Sequence, residues 1–98
     1  MNVEIRAHGK PLSPALRLHA DQRLRLALTR FSSRIRDVRL DVKLEPGPHS
    51  RCEVSVNLDS GEELRVEDES DDLRLMLDHA TQRLGRLVGR RLAAPLAH

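Results

Sequence analysis

The 98 residues fit a single domain, given the usual size of roughly 100–200 residues per domain. Hydrophobic residues make up 39% and charged residues 33%, while Phe31 is the one aromatic residue, which excludes stacking of bases on several exposed rings. The net charge of +2 conceals a layout: residues 1–58 carry +5, residues 59–78 carry −7 and residues 79–98 carry +4. Long-range attraction by net charge is therefore weak, but local basic surfaces remain available.

Cys52 is the single cysteine, so no intrachain disulfide and no cysteine cluster for zinc is expected. The opening residues Met-Asn-Val-Glu-Ile-Arg lack the apolar run of a signal peptide. No stretch approaches the roughly 18 apolar residues of a membrane span. A cytoplasmic location, without membrane contact, is the expectation.

In chain order, Val3, Ile5 and Ala7 alternate with Glu4, Arg6 and His8, which predicts a half-buried strand. Gly9-Lys10-Pro11 interrupts it. Ser13-Pro14 supplies an N-cap and a first-turn proline, and Leu16, Ala20, Leu24, Ala27 and Phe31 then repeat at helical spacing. A helix over 14–31 follows, ended by Ser32-Ser33. Val38, Leu40, Val42 and Leu44 alternate with charged residues in a second strand, and Pro46-Gly47-Pro48 turns the chain. Cys52, Val54, Val56 and Leu58 mark a third strand. Asp59-Ser60-Gly61 signals a hairpin into a short fourth strand at Leu64 and Val66. Ser70 or Asp71 caps a final helix whose inward stripe is Leu73, Leu77, Ala80, Leu84 and Leu87, flanked by Met76 and Val88. Ala93-Ala94-Pro95 ends it, so the expected layout is one domain over 1–93 with a short tail at 94–98.

This order, β-α-β-β-β-α, predicts an α+β fold: a four-stranded mixed sheet with two helices packed on one face. The crossover makes strands one and two parallel, and the remaining connections are hairpins. The opposite sheet face carries Arg39, Asp41, Lys43, Glu53, Ser55 and Arg65, able to pair across strands.

Motifs for catalysis are missing. The five histidines are scattered, and no HExxH, GxSxG or phosphate-cradling glycine loop occurs, so no catalytic residue, metal site, cofactor or small-molecule substrate is expected. The acids at 67–72 read as solvated caps, Cys52 as a small buried hydrophobe, and His8 and Lys10 as surface residues within reach of a partner.

The helices are more informative. His79, Arg83, Arg86 and Arg90 fall within about 60° on a helical wheel, away from the buried stripe. His19, Arg23, Leu26 and Arg30 repeat that spacing on the first helix, with an apolar third member. In the expected topology the helices run parallel, so both stripes join one exposed layer. Arginine suits phosphate because its planar fork donates two hydrogen bonds at once and stays charged. Gly85 and Gly89 each cost about 1 kcal/mol against alanine inside a helix. Their place on the polar side points to close approach by a partner, or to neutral drift. An RNA-recognition motif is excluded by the element order and by the missing stacking aromatics.

The chain resembles the ribosome hibernation-promoting factor family, also called ribosome-associated inhibitor A or sigma-54 modulation proteins. The resemblance runs from Met1 to about Leu92 and rests on MNVEIRAHG, SPALRLHADQRLRLALTRF followed by SSRIRDVRLDV, RCEVSVNL, and DDLRLMLDHATQRLGRLVGRR. It implies the β-α-β-β-β-α fold and binding to the small ribosomal subunit, in the channel of mRNA and the tRNA anticodon stems. It further implies repression of translation in stress or stationary phase. Family contacts with rRNA come from basic residues on both helices, which here match Arg23, Arg30, Arg83, Arg86, Arg90 and Arg91, with His79 added by the wheel. Gln22 and Leu26 stand where the family often has lysines, and Arg74 replaces a common aromatic, while Asp78 is retained. The chain resembles the short type, which in some bacteria works beside a separate ribosome-dimerising partner.

The competing reading is a protein-interaction module that uses the acidic 59–78 segment and the outward Leu18 and Leu26. Under the ribosomal reading, the acidic segment is expected to turn away from rRNA.

Overall fold

The computed structural model describes residues 1–93. The expected tail at 94–98 lies outside the described residues. Strands β1 (Asn2–His8), β2 (Ile35–Leu44), β3 (Ser50–Leu58) and β4 (Glu63–Ser70) form one sheet in sequential order, with helix α1 (Pro14–Leu28) after β1 and helix α2 (Leu73–Leu92) after β4. β1 pairs parallel with β2, and the other two pairings are antiparallel. The α+β layout read from the pattern is therefore the observed one.

The start of α1 follows from local chemistry. Ser13 Oγ accepts from the Leu16 N–H at 3.2 Å, and Pro14 occupies a first-turn position where no N–H is needed. The α-helix is shorter than expected: it ends at Leu28, and Thr29–Arg34 tightens into a 3-10 segment whose end is closed by the Ile35 N–H bonding to Ser32 O. Leu28 is fully buried while Phe31 stays half-buried. The tighter turn swings the last apolar side chain out of line with the helical stripe.

At α2 the cap is Asp72, neither Ser70 nor Asp71; its carboxylate accepts from the Leu75 N–H at 3.0 Å. β4 is the larger departure. It continues through Glu67, Asp68 and Glu69, residues expected to be solvated caps, because each finds a register partner on β3. Asp68 lies on the helix side of the sheet, where α2 supplies basic partners.

The core lies between one sheet face and both helices. Val38, Leu40, Val42, Cys52, Val54, Val56 and Leu58 meet Ala20, Leu24, Leu28, Met76, Leu77, Ala80, Leu84 and Val88. Fully burying one such aliphatic side chain contributes about 1.5–3 kcal/mol. Thr81, also buried, satisfies its hydroxyl on Asp78 O at 3.0 Å. The outer face is polar as expected, with Arg65 3.7 Å from Glu53, Arg39 3.4 Å from Glu4, and Asn57 donating to Asp37 at 2.7 Å.

Candidate nucleic-acid interface

The two helices run parallel: His19 meets Asp78, Ala27 meets Gly85 and Phe31 meets Gly89, at a nearly constant offset along both chains. A Cβ on Gly85 would sit 3.2 Å from both Ala27 Cβ and Ala27 O, and one on Gly89 would sit 3.4 Å from the Phe31 ring. The body that approaches these glycines is the first helix and the segment that follows it. They are on the interhelical side, not the free polar side, and their role is packing.

This close approach leaves a groove of about 290 Å³ along the helix pair, with Ala27, Thr81 and Gly85 among its lining. Arg23 flanks it from α1, Arg30 from the 3-10 segment that follows, and Arg86 from α2. A second groove of about 340 Å³ runs between α2 and β4, bordered by Arg65, Arg83, Arg86 and Arg90. Arg86 belongs to both.

The seven candidate residues divide into two groups. Four are engaged by carboxylates. Arg23 Nε lies 3.5 Å from Asp78 Oδ1, which also meets His19 Nε2 at 2.5 Å. His79 Nδ1 lies 3.0 Å from Asp68 Oδ2, and Arg83 lies 3.7 Å from the same oxygen while donating to Glu67 O at 3.0 Å. Arg91 Nε donates to both Glu62 oxygens, at 2.7 and 2.9 Å. Arg30, Arg86 and Arg90 are exposed and have no ion-pair partner among the described residues. Arg30 stands over the Phe31 ring at 5.0 Å, which holds its plane without neutralising it.

The acidic segment therefore divides: Glu63, Glu67 and Glu69 lie on the outer sheet face, away from the helices, but its other acids do not all turn away from the basic layer. Glu62, Asp68 and Asp78 reach into it, because β4 lies directly beside α2 and Asp78 faces α1. Segregation along the chain is not segregation in space. Glu62 and Asp68 had no signal as organisers in the sequence, and Asp78 was marked only as retained from the family pattern, since its contact with His19 spans 59 positions. Pairs of this kind, partly open to solvent, contribute on the order of 1 kcal/mol or less each. A dianionic or polyanionic ligand can compete for their arginines.

Cys52 fits its structural reading. Burial first, and then the charge of Asp68, push its thiol up to about 12. Among the described residues no group of three or more His, Cys, Asp or Glu is arranged to hold a metal ion. A cavity of about 540 Å³ towards one end of the sheet mixes His8, Lys43 and Arg51 with Asp41, Glu53 and Glu67, so it offers no single-sign surface. No helix of the described residues is long and apolar enough to cross a membrane.

Comparison with known proteins agrees with this architecture. A ribosomal subunit interface protein from Coxiella burnetii superposes with a TM-score of 0.79 at 21% identity, over 95% of this chain and 99% of that one. The N-terminal domain of Protein Y from Thermus thermophilus superposes with a TM-score of 0.78 at 26% identity, over 93% of this chain and 99% of that one. No curated protein sequence matches the chain. Residues 3–93 match the sigma 54 modulation protein / S30EA ribosomal protein family, and the chain belongs to that family, whose members are ribosome-associated.

Proposed function

We propose that this protein binds the small ribosomal subunit through rRNA phosphates, occupies the channel of mRNA and tRNA, and represses translation in stress or stationary phase. Membership of a ribosomal family supplies the partner class. The observation that carries the mechanism is the interhelical groove, floored by Gly85 and Ala27 and flanked by Arg23, Arg30 and Arg86. Two parallel helices at this spacing present guanidinium groups from both sides to one phosphate backbone. Arg30, Arg86 and Arg90 engage first, because binding them breaks no ion pair. Arg23, His79, Arg83 and Arg91 follow only where phosphate displaces Asp78, Asp68 or Glu62.

The protein acts as an occluder and not as a catalyst, in residues 1–93, without cofactor or small-molecule substrate. A separate ribosome-dimerising partner is compatible with this reading. The interaction-module reading retains exposed Leu18 and Leu26, at 58% and 74%, and the outer-face acids Glu63, Glu67 and Glu69, but Glu62, Asp68 and Asp78 are engaged internally. Gradient sedimentation with purified subunits at low salt tests the proposal. Co-migration with the small subunit is expected; protein that stays at the top of the gradient overturns it.

A further inference from the structure

The sheet has two free edges, β1 and β4, and one arginine from the helix layer reaches each. Arg17 Nη1 donates to Ile5 O at 2.7 Å, and Arg83 Nη1 donates to Glu67 O at 3.0 Å. The edges differ in charge. The outer face of β4 sets Glu63, Glu67 and Glu69 against Arg65, so a second copy would meet net repulsion. β1 is self-complementary.

Strand phase decides which groups face outward. The N–H and C=O of one strand residue point to the same side, and alternate residues point to opposite sides. With Ile5 O facing outward to Arg17, the residues Val3, Ile5 and Ala7 present their backbone groups to the free edge, while Glu4 and Arg6 bond to β2. An antiparallel copy related by a two-fold axis through Ile5 then pairs Ile5 with Ile5 and Val3 with Ala7, all in hydrogen-bonded positions. The same axis places Glu4 opposite Arg6 twice. Axes through the neighbouring residues are worse, since they oppose Glu4 to Glu4 or Arg6 to Arg6, and like charges in register repel.

Side chains agree with the backbone. Val3 and Ile5 are only half-buried, whereas their β2 neighbours Val38 and Leu40 are fully buried. A groove of about 400 Å³ runs beside the strand, lined by Val3, Ile5, Pro14, Arg17, Leu18 and Asp21, with Leu18 58% exposed. The two-fold axis brings both grooves to one seam. Arg17 stands across that seam. Asp21, one turn along, pairs with Arg25, and Arg17 has no carboxylate partner among the described residues. Among the described residues its guanidinium is held by the Ile5 carbonyl.

We infer that β1 is a self-pairing edge whose occupant is β1 of a second copy of this chain, and that Arg17 is the latch that covers Ile5 O in the monomer. The test is sedimentation equilibrium of the full chain and of Arg17→Ala across the micromolar range, with amide exchange read at Val3, Ile5 and Ala7. Arg17 is exposed on a helix, so its alanine variant is expected to fold, which a thermal melt verifies. The expected result is a dimer dissociation constant lowered by about tenfold or more in the variant, with those three amides gaining concentration-dependent protection. Adding Glu4→Arg to that variant should return it to monomer. A variant that stays monomeric at every concentration overturns the inference. A dimer that leaves the three amides unprotected, or that survives Glu4→Arg unchanged, overturns it equally. None of these outcomes bears on ribosome binding, which is scored separately by co-sedimentation.

Discussion

Gly85 of α2 lies against Ala27 of α1 so closely that an added Cβ would stand 3.2 Å from the alanine Cβ and carbonyl oxygen. This approach sets the width of the arginine-flanked groove. Gly85→Ala gains about 1 kcal/mol of helix propensity and loses a similar amount to crowding, so its melting temperature should stay near that of the parent. Gly85→Leu forces the helices apart and should cost about 1–3 kcal/mol, measured by urea denaturation. Gly9→Ala should be worse than Gly85→Ala. Its φ of +92° disfavours any side chain, and its Cβ would collide with the Leu44 carbonyl oxygen.

The two groups of arginines should separate by experiment. Replacing Arg30, Arg86 and Arg90 together by alanine should weaken small-subunit binding while leaving the melting temperature nearly unchanged. The salt slope should also flatten by roughly 0.7–0.9 for each phosphate that is no longer neutralised. Arg83→Ala removes a cap from an edge carbonyl and a partner from Asp68, so it should lower the melting temperature as well. Equal binding by the triple variant and the parent would show that these side chains take no part.

Asp78→Asn should move stability and binding in opposite directions. The substitution weakens the tie between His19 and Arg23, and at this partly exposed site it should cost about 0.5–1 kcal/mol. It also removes a negative charge from the groove wall and frees Arg23 for phosphate. Tighter binding at low salt, in a filter-retention assay with rRNA fragments, is the expected outcome.

Cys52 gives a pH signature. The thiol is held at about 12 in the fold against an ordinary value of 9.0, so the folded state keeps a proton that the unfolded chain releases first. Its contribution to stability is fully present below pH 9 and is lost as pH rises towards 12. Urea melts across that window should show a decline that is shallower in Cys52→Ala, although that variant starts from lower stability. Alkylation of the native protein should proceed only as fast as the fold opens, which hydrogen exchange of core amides reports independently.

Most of the fold was legible in the residues because the period of the apolar positions is a local property. Strict alternation around Val38–Leu44 and Cys52–Leu58, and steps of three and four from Leu16 and from Leu73, demand strands and helices that each bury one side. Ser13-Pro14 marked a helix start to the residue. The misread positions were those where a distant partner decides. β4 extends into its acids because β3 and α2 lie alongside, and α1 tightens at Thr29 as the chain enters β2.

The candidate site was legible to a smaller degree. A helical wheel sorts side chains by angle, so it collected His79, Arg83, Arg86 and Arg90 correctly into one stripe. It contains no information about what stands opposite that stripe. The pairing of Arg83 and His79 with Asp68, of Arg91 with Glu62, and of Arg23 with Asp78 depends on sheet order and on the parallel approach of the helices. Gly85 and Gly89 show the same division: composition marks them as costly, and only the packing of α1 on α2 gives the reason. The sequence by itself determined the elements, their inward faces and the family. Tertiary structure decided which arginines are engaged by carboxylates among the described residues, because Coulomb and hydrogen-bond partners act across a few ångströms of space whatever their separation along the chain.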